Sequence, residues 1–434
     1  MRSRYRWFVA FVFFLFLLLH QGDKLLIGPL TTPIMEDFQI NEAQMGAVSS
    51  LAIVVASLLY PIWGYLYDRY ARNRLLALAS FLWGATTWLN ALAPTYPLFM
   101  ATRSSTGIDD SSYPGLYSLL ADYFGPEMRG KVYGVMQMSG PLGYMVGTVL
   151  ATTLGGVLGW RKVFFITGGS GILIAALIFF TVRERARGSA EPEMEGLDIV
   201  QTYRIDWETT RGLLRVPSLL LLMAQGFFGV FAWNVLIFWF FRYLEVERGY
   251  TSGQAMTTML VAIVTLSLGF LLGGNLGDAF FKRTRRGRAI VGGLGTLAAA
   301  VFLLLTMGVP AENRLLFTVL LGFTGVTMSM TAPNAMATVP DITPPEARST
   351  AQAVRKLVED GGAALAPFLA GVIAMRASLH TAIIVICVST WLACAALFAA
   401  VAYVVPDDIE ALRHLMSKRA AKNIASQSSP GASG

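Results

Sequence analysis

The chain has 434 residues, of which 55% are hydrophobic and 14% charged, and its mean hydropathy is +0.56. This composition excludes a soluble enzyme and indicates an integral membrane protein. The net charge of +7 would suit a nucleic-acid partner, but the basic residues lie in short segments beside apolar runs, a pattern that orients a protein in a membrane. The sequence therefore predicts membrane lipid as a partner and no nucleic acid.

The first element resembles a secretory signal, because three arginines in the first six residues precede an apolar run from Trp7 to Leu19. No small-residue cleavage site follows, and the segment continues through Asp23 and Lys24. We therefore expect a retained first membrane helix.

Apolar runs of about twenty residues, long enough to cross a membrane, recur along the whole chain. The longest polar segment, 183–216, predicts a linker with a short interfacial helix near Trp207. The sequence thus predicts an all-α integral membrane protein with twelve transmembrane helices in two six-helix bundles, 1–182 and 217–404, and a disordered tail, 405–434. The predicted spans are 7–31, 43–67, 75–93, 97–124, 131–156, 161–182, 217–244, 253–277, 288–308, 313–338, 347–373 and 379–404.

The distribution of lysine and arginine predicts the orientation of these spans. Of the 34 basic residues, 24 lie in segments on the side of the N-terminus, six lie on the opposite side, and four lie within spans. Basic residues accumulate on the cytoplasmic side of membrane proteins. We therefore expect both termini to be cytoplasmic, in a multi-pass plasma membrane, most simply the bacterial cytoplasmic membrane.

The two halves repeat the same motifs at the same places. Gly-x-Leu-x-Asp follows the second span at 64–68 and the eighth span at 274–278, and basic residues follow both. Pro-Glu-x-Arg begins at 126 after the fourth span and at 345 after the tenth. The repeats indicate a duplicated six-helix unit, and in such transporters the substrate site lies near the midplane between the halves.

These residues resemble known sequences. GYLYDRYARNR, residues 64–74, is similar to the signature loop of the major facilitator superfamily. Within it the chain looks most like the spinster group of lipid and lysolipid transporters, through Asp23-Lys24, Asp68-Arg69-Tyr70, and Arg103 with an acid seven residues later. The group usually has Asp-Arg at the first place and Gly-Glu where this chain has Asp109-Asp110.

The resemblance implies a secondary active transporter that works by alternating access, coupled to protons, and moves a lipid-like or amphipathic small molecule. Organic-anion symporters of the same superfamily are the alternative, since they have a similar arginine and acid in helix four with a proline nearby, as Pro114 is here. A transporter-shaped receptor that binds ligand without moving it is the alternative of another class.

Other chemistries lack support in the sequence. No glycine-rich loop with Lys and Ser or Thr follows an apolar strand, so we expect no ATP hydrolysis, no cofactor and no enzymatic activity. His20, His380 and His414 lack metal-ligand spacing, which predicts no metal site. Cys387 and Cys394 lie about 10 Å apart along one helix, beyond disulfide reach, and are interpreted as packing residues.

The polar stretch RSSTGIDDSSYPG, residues 103–115, interrupts an apolar span and predicts a functional surface. Arg103 and Asp110 share a face of a continuous helix, with about 10 Å of rise between them, so Asp110 is favoured over Asp109 as the proton carrier. Asp23 or Lys24 is expected to pair with Arg103 or Asp110. This pairing either changes between transport states or only holds helices one and four together.

Span eleven contains a second charged group. Arg355 and Lys356 each precede an acid, Glu359 and Asp360, by four residues, so each pair can neutralise itself on one helix surface. A structural role and a role for Glu359 as a second cavity carboxylate both remain open. The predicted proton-coupling residues are Asp110, Asp23 and Glu359.

Two further sets complete the expected site. The resemblance of the loop at 64–74 implies that Asp68 accepts hydrogen bonds from the first amides of helix eleven, where the helix dipole is positive, and so latches the halves together. This predicted gate comprises Gly64, Asp68, Arg69, Arg72 and Asp278. The predicted substrate-binding residues are Arg103, Lys24, Tyr113, Gln137, Tyr144, Asn234 and Asn334.

Overall fold

The computed structural model describes residues 3–40, 42–110, 112–194 and 207–428, which are almost entirely helical and include no strand. A single-turn 3-10 helix lies at Pro192–Met194 and another at Pro345–Ala347. The first half contains α1 (Ser3–Leu25), α2 (Ile27–Phe38), α3 (Glu42–Arg69), α4 (Arg72–Leu92), α5 (Tyr96–Ser105), α6 (Gly107–Asp110), α7 (Tyr113–Tyr123), α8 (Pro126–Leu158) and α9 (Trp160–Thr181). The second half contains α10 (Trp207–Leu213), α11 (Pro217–Val246), α12 (Ser252–Phe281), α13 (Gly287–Met307), α14 (Arg314–Ser329), α15 (Thr331–Ile342), α16 (Arg348–Arg376) and α17 (Leu379–Ser428).

Ten helical segments among the described residues are long and apolar enough to cross a membrane. The two other predicted spans correspond to α3 and to the series α5, α6 and α7, which pack against one another in the first half. A helix satisfies its backbone hydrogen bonds internally, as hydrocarbon requires. The predicted all-helical membrane fold is confirmed.

Each half has apolar cores of its own. In the first half, one core is built from α1, α3, α4, α7, α8 and α9, with Met336 and Ala337 of α15 packed on it. A second core packs Leu26, which precedes α2, and Leu30 of α2 against Phe99 and Trp160. In the second half, the cores are built mainly from α11 to α17. Glycines permit the closest helix crossings: Gly22 of α1 meets Gly143 and Gly147 of α8 backbone to backbone.

The span that contains the polar stretch 103–115 is broken into three short helices. The backbone leaves α5 at Thr106, whose amide bonds the carbonyl of Arg103, and the turn at Ser112 separates α6 from α7. The Trp63 indole donates to the carbonyl of Ile108 at 2.6 Å. The sequence predicted one continuous helix here, with Arg103 and Asp110 on the same face. Because the span is broken between these residues, that prediction does not describe the observed geometry.

The two halves touch at one end of the molecule. There α3 packs on α16 and α8 packs on α12, with the backbone of Gly130 against Gly274. The start of α1 lies at the same end, since the Tyr5 hydroxyl donates to the carbonyl of Thr181 at 2.7 Å. We call this end, which also holds the end of α17, the terminal side.

The C-terminal segment differs from its prediction. Residues 405–434 were expected to be disordered, but α17 continues to Ser428, and residues 429–434 lie outside the described part. The extension is helical because it has packing partners: Leu412 and Met416 contact Met194 of the linker. Its arginines also pair with acids, Arg413 with Glu193 at 3.0 Å and Arg419 with Glu346 at 2.6 Å.

The α1–α8 crossing generates a prediction. A methyl group at Gly147 would collide with the Gly22 carbonyl, whereas one at Gly156 of the same helix meets open space. We expect Gly147→Ala to cost about 1–3 kcal/mol through overpacking and to lower the apparent melting temperature in detergent. Gly156→Ala should leave that temperature unchanged or slightly higher. Equal melting temperatures for the two variants would contradict this packing.

Candidate functional site

A buried charged cluster lies where α1 meets the broken span. His20 and Asp109 are 2% and 1% exposed, and the imidazole Nε2 lies 2.7 Å from Asp109 Oδ2. The other ring nitrogen, Nδ1, lies 2.5 Å from the hydroxyl of Tyr113. One nitrogen of His20 and oxygens of Asp109 and Asp110 fall within 4.8 Å of one another. His20 and Asp109 form a hydrogen-bonded pair, and Asp110 is its neighbour, with Oδ1 3.6 Å from the imidazole Nε2.

Asp110 has a different partner. Its Oδ2 lies 3.0 Å from the ammonium of Lys24, a side chain that is 40% exposed. His20 Nε2 is 3.6 Å from Asp110 Oδ1. The expected pairing of α1 with the polar stretch is therefore realised by Lys24 and Asp110.

Asp23 and Arg103 do not pair with each other. Asp23 accepts from the Trp83 indole at 3.0 Å and from the hydroxyls of Thr87 and Thr167 at 3.0 and 2.5 Å. Arg103 donates to the carbonyl of Lys24 at 3.0 Å, and its guanidinium lies 5.8 Å from the Phe164 ring centroid. Asp23 points into the first bundle, where its hydrogen-bond donors are an uncharged indole and two hydroxyl groups.

A cavity of about 400 Å³ lies between the two halves. Apolar and aromatic side chains from both halves form much of its wall, including Leu17, Tyr60, Trp233, Phe270 and Trp391. Its polar lining includes the predicted Tyr113, Gln137 and Glu359, together with Gln21, Ser139, Gln225, Thr296, Ser329, Thr331, Gln352, Arg355 and Lys356.

The other predicted substrate residues lie outside this lining. The side-chain amides of Asn234 and Asn334 donate hydrogen bonds to backbone carbonyls, Asn234 to Val230 and Asn334 to Gly273. Tyr144 is 41% exposed. Lys24 and Arg103 belong to the cluster around His20 and Asp110 instead.

The second charged group reaches the cavity already paired. Arg355 bonds Glu359, and the Lys356 ammonium lies 2.6 Å from Asp360. Arg355 also donates to the Gln352 amide oxygen at 3.3 Å. Both predicted i, i+4 pairs form, so the cavity wall presents two cations whose charges are largely neutralised.

The terminal side is closed by two equivalent latches. Asp68 accepts from the amides of Ser349 and Thr350, at 3.0 and 2.6 Å, where α16 begins. Asp278 accepts from the amides of Gly130 and Lys131 near the start of α8, at 3.0 and 2.7 Å. Asp68 thus binds the positive end of α16, and Asp278 binds two backbone amides in the second turn of α8, each in the opposite half.

The other predicted gate residues play different parts. Gly64 packs against Ala353 and the backbone of Ser349, where a Cβ would not fit. Arg72 is fully buried and pairs with Asp122 at 2.6 Å. Arg69 donates to the Tyr65 hydroxyl within its own helix and does not cross to the other half.

A buried ion network beneath the latches was missed by the sequence analysis. Asp122 pairs with Arg72 and Arg348, and Asp341 pairs with Arg129 and Arg288. The repeated Pro-Glu-x-Arg motif was the available signal, since it places Arg129 and Arg348 at equivalent positions. His20 was also missed, because a lone histidine has no spacing pattern.

Glu191 of the linker joins the two halves of this network. Its Oε1 accepts from Arg129 at 2.6 Å and from Arg348, and its Oε2 accepts from Arg413 at 2.7 Å. Burial by itself would raise the pKa of Glu191, but these three guanidinium groups outweigh it and hold that pKa well below its usual range. The carboxylate therefore stays charged at neutral and mildly acidic pH.

Comparison with known proteins gives three informative matches. The Major Facilitator Superfamily profile matches residues 9–312 and 267–426. Protein spinster homolog 1 of Xenopus tropicalis is 28% identical over 396 residues, which are 85% of this chain and 73% of that protein. The cis,cis-muconate transport protein of Acinetobacter baylyi is 27% identical over 398 residues, 88% of this chain and 92% of that protein.

One solved structure shows the same fold. It is the crystal structure of a bacterial homologue of the human lysosomal transporter spinster, in an inward-facing and unoccupied conformation. The TM-score is 0.59 at 20% identity, over 98% of this chain and 99% of that chain.

The Asp68 latch generates a prediction. Asp68→Asn removes the charge that strengthens two amide hydrogen bonds, each worth about 1.5–3 kcal/mol. We expect the terminal side to open, so that cysteines introduced at Glu127 and Lys282, which face each other across the halves, crosslink at least about tenfold less. Arg285→Gln, which removes an exposed pair within the second half, is the matched control. An unchanged crosslink in Asp68→Asn would contradict the latch.

The linker carboxylate generates a second prediction. Glu191→Gln leaves buried arginines of both halves short of a counter-charge, which costs about 3–5 kcal/mol, so the same crosslink should fall strongly. Glu193→Gln removes only the peripheral contact with Arg413 and should have little effect. Because a lowered pKa contributes stability that is lost only as pH falls through it, Glu191 should add no pH dependence to the wild-type crosslink between about pH 5 and 8. A crosslink in Glu191→Gln equal to wild type would exclude the bridge.

Proposed function

Because the chain belongs to the Major Facilitator Superfamily and resembles its spinster proteins, it is a multi-pass membrane transporter, and we propose that it moves an amphipathic, lipid-like molecule with an anionic group by proton-coupled alternating access. The resemblance predicted from the motifs is thereby confirmed. The observation that supports the substrate class is the composition of the central cavity. Its wall combines large apolar surfaces with one paired arginine and one paired lysine.

The cavity has the size and chemistry of a small-molecule site. Its volume of about 400 Å³ lies within the common range of about 300–1,000 Å³. Trp233, Phe270 and Trp391 offer apolar surface to a hydrocarbon or ring system. Arg355 can turn part of its hydrogen bonding from Glu359 to a ligand anion, so an apolar body with one acidic group suits the wall.

Alternating access follows from the latches in this proposal. With Asp68 and Asp278 bound to helix ends, the terminal side is closed and the cavity can receive substrate from the other side. Releasing four amide hydrogen bonds and the buried ion network would let the halves rock apart at the terminal side. On the proposed orientation, that side is cytoplasmic, in a bacterial plasma membrane.

Proton coupling is supported by buried carboxylates within the first bundle. Asp23, Asp109 and Asp110 are each at most 5% exposed. Carboxylates at this depth are costly and typically belong to ion or proton pathways. Glu359, which lines the cavity, is the corresponding candidate in the second half.

Transport of a small organic anion is the second candidate. The similarity to a protein named as a cis,cis-muconate transport protein favours it, and so do two cations in one cavity wall, which suit two carboxylates. A receptor that binds the same ligands without moving them remains the alternative of another class.

The test uses purified protein in liposomes that hold a pH-sensitive dye. Lysophosphatidic acid and cis,cis-muconate are added separately, with protein-free liposomes as the control. We expect proton flux with the lysolipid. Proton flux with muconate alone would select the small-anion function. Saturable binding of either compound, with neither proton flux nor uptake of the labelled compound, would select the receptor.

Two variants distinguish the substrate classes at the cavity wall. Trp233→Ala should raise the KM for the lysolipid about tenfold, because it removes roughly 1.4 kcal/mol of apolar contact. The double variant Arg355→Gln with Glu359→Gln removes both charges together, so it leaves no unpaired buried charge. For the lysolipid we expect Trp233→Ala to raise the KM more than the double variant does. For a small dianion we expect the double variant to raise the KM more. That reversed order would overturn the lipid-like assignment.

A further inference from the structure

The buried cluster around His20 is one proton short of electrical neutrality. It contains three carboxylates, Asp23, Asp109 and Asp110, and two permanent cations, Lys24 and Arg103. With His20 neutral the cluster has a net charge of −1, and one added proton brings it to zero. Since uncompensated charge is expensive in the interior of a membrane protein, this cluster favours the uptake of one proton.

The surroundings of the two neighbouring acids indicate where that proton goes. Asp110 already has a full positive charge beside it, since the Lys24 ammonium is 3.0 Å away. Asp109 has the imidazole of His20 as its hydrogen-bond partner, and its second oxygen, Oδ1, is buried with no hydrogen-bond partner among the described residues. A charge added to His20 would therefore compensate Asp109 directly.

The hydrogen bonds of the imidazole also suit proton uptake from the cavity. Gln21 donates its amide to the Tyr113 oxygen at 3.1 Å, which leaves the phenol free to donate to His20 Nδ1. The Nε2 proton of the neutral ring then points at Asp109. Both Gln21 and Tyr113 line the central cavity, so the Tyr113 hydroxyl connects the buried ring to the place where substrate binds.

We propose that the pair His20–Asp109 holds the coupled proton, that His20 Nδ1 is the atom that receives it, and that Tyr113 passes it from the cavity. This inference rests on the proposed proton-coupled transport. In the uptake step, a hydronium ion in the cavity gives a proton to the Tyr113 oxygen as the phenol proton moves to Nδ1. The product is an imidazolium bound to the Asp109 carboxylate, and the water is left neutral.

The fixed surroundings of His20 support this assignment. Its ring is packed against Phe16 and stands edge-on to Trp83, with ring centroids 5.8 and 5.2 Å away, so both nitrogens keep their direction. The titratable and charged groups that face the pair are Asp23 and Lys24 of α1, Tyr60 of α3, Arg103 of α5, Asp110 of α6 and Tyr113 of α7.

Liposome assays distinguish this assignment from one in which Asp110 carries the proton. The variants are His20→Gln, which keeps a donor and an acceptor but cannot take a proton, and Asp109→Asn. Two quantities are measured for each: substrate-driven proton flux, and exchange of labelled substrate at equal pH on both sides. We expect at least a tenfold loss of proton flux in both variants, with exchange within about threefold of wild type.

Two further variants serve as controls. His380→Gln changes a histidine of the second half that contacts Tyr243 outside the cavity lining, and it should keep wild-type flux and pH profile. Asp110→Asn removes a negative charge beside the pair, so it should retain proton flux with a midpoint about one pH unit lower. The midpoint is expected to fall because a less negative cluster binds the proton less readily.

The outcomes are distinct. Wild-type proton flux in His20→Gln, or abolished flux in Asp110→Asn alone, would overturn the proposal and leave proton coupling standing. Loss of exchange together with flux in both His20→Gln and Asp109→Asn would also overturn it, because the pair would then be structural. Substrate exchange in the wild type without proton flux at any pH would instead refute the proposed coupling itself.

Discussion

The need to compensate buried charge governs this molecule. Its interior holds arginines, lysine and carboxylates at positions where an unpaired ion would cost several kcal/mol. Several carboxylates are shared between arginines: Glu191 pairs with three of them, and Asp122 and Asp341 each pair with two. Because several of these pairs join opposite halves, the charges can be compensated fully only while the terminal side is closed.

The repeated sequence explains why closure is symmetric. Asp68 and Asp278 each bind two backbone amides near the start of a helix in the other half, and each half contributes to an arginine–aspartate set of the same design. The linker and the extension of α17 add a further contact, between Glu191 and Arg413. The linker therefore ties the two halves to the C-terminal helix.

The polar break between α5 and α7 places two buried acids next to the cavity lining. The break costs helical hydrogen bonds within the first bundle, and neighbouring side chains such as Trp63 replace one of them. As a result of the break, Asp109 contacts His20 and Asp110 contacts Lys24. Two adjacent acids thereby acquire different environments, one beside an imidazole and one beside an ammonium group.

The sequence by itself determined the helical membrane class, the duplicated motifs and the two i, i+4 pairs of span eleven, because these depend on hydropathy or on residues close in the chain. The Asp68 latch joins residues 281 positions apart in the chain, and it was predicted through the resemblance of residues 64–74 to a known signature loop. Only the tertiary structure decided the partners of Asp23, Arg103 and Asp110, the role of His20, and the bridge through Glu191. Each of those depends on contacts between residues far apart in sequence, and on a helix break that residue spacing assumed to be absent. The helical tail beyond residue 404 belongs with them, since its polar sequence folds against a distant linker segment.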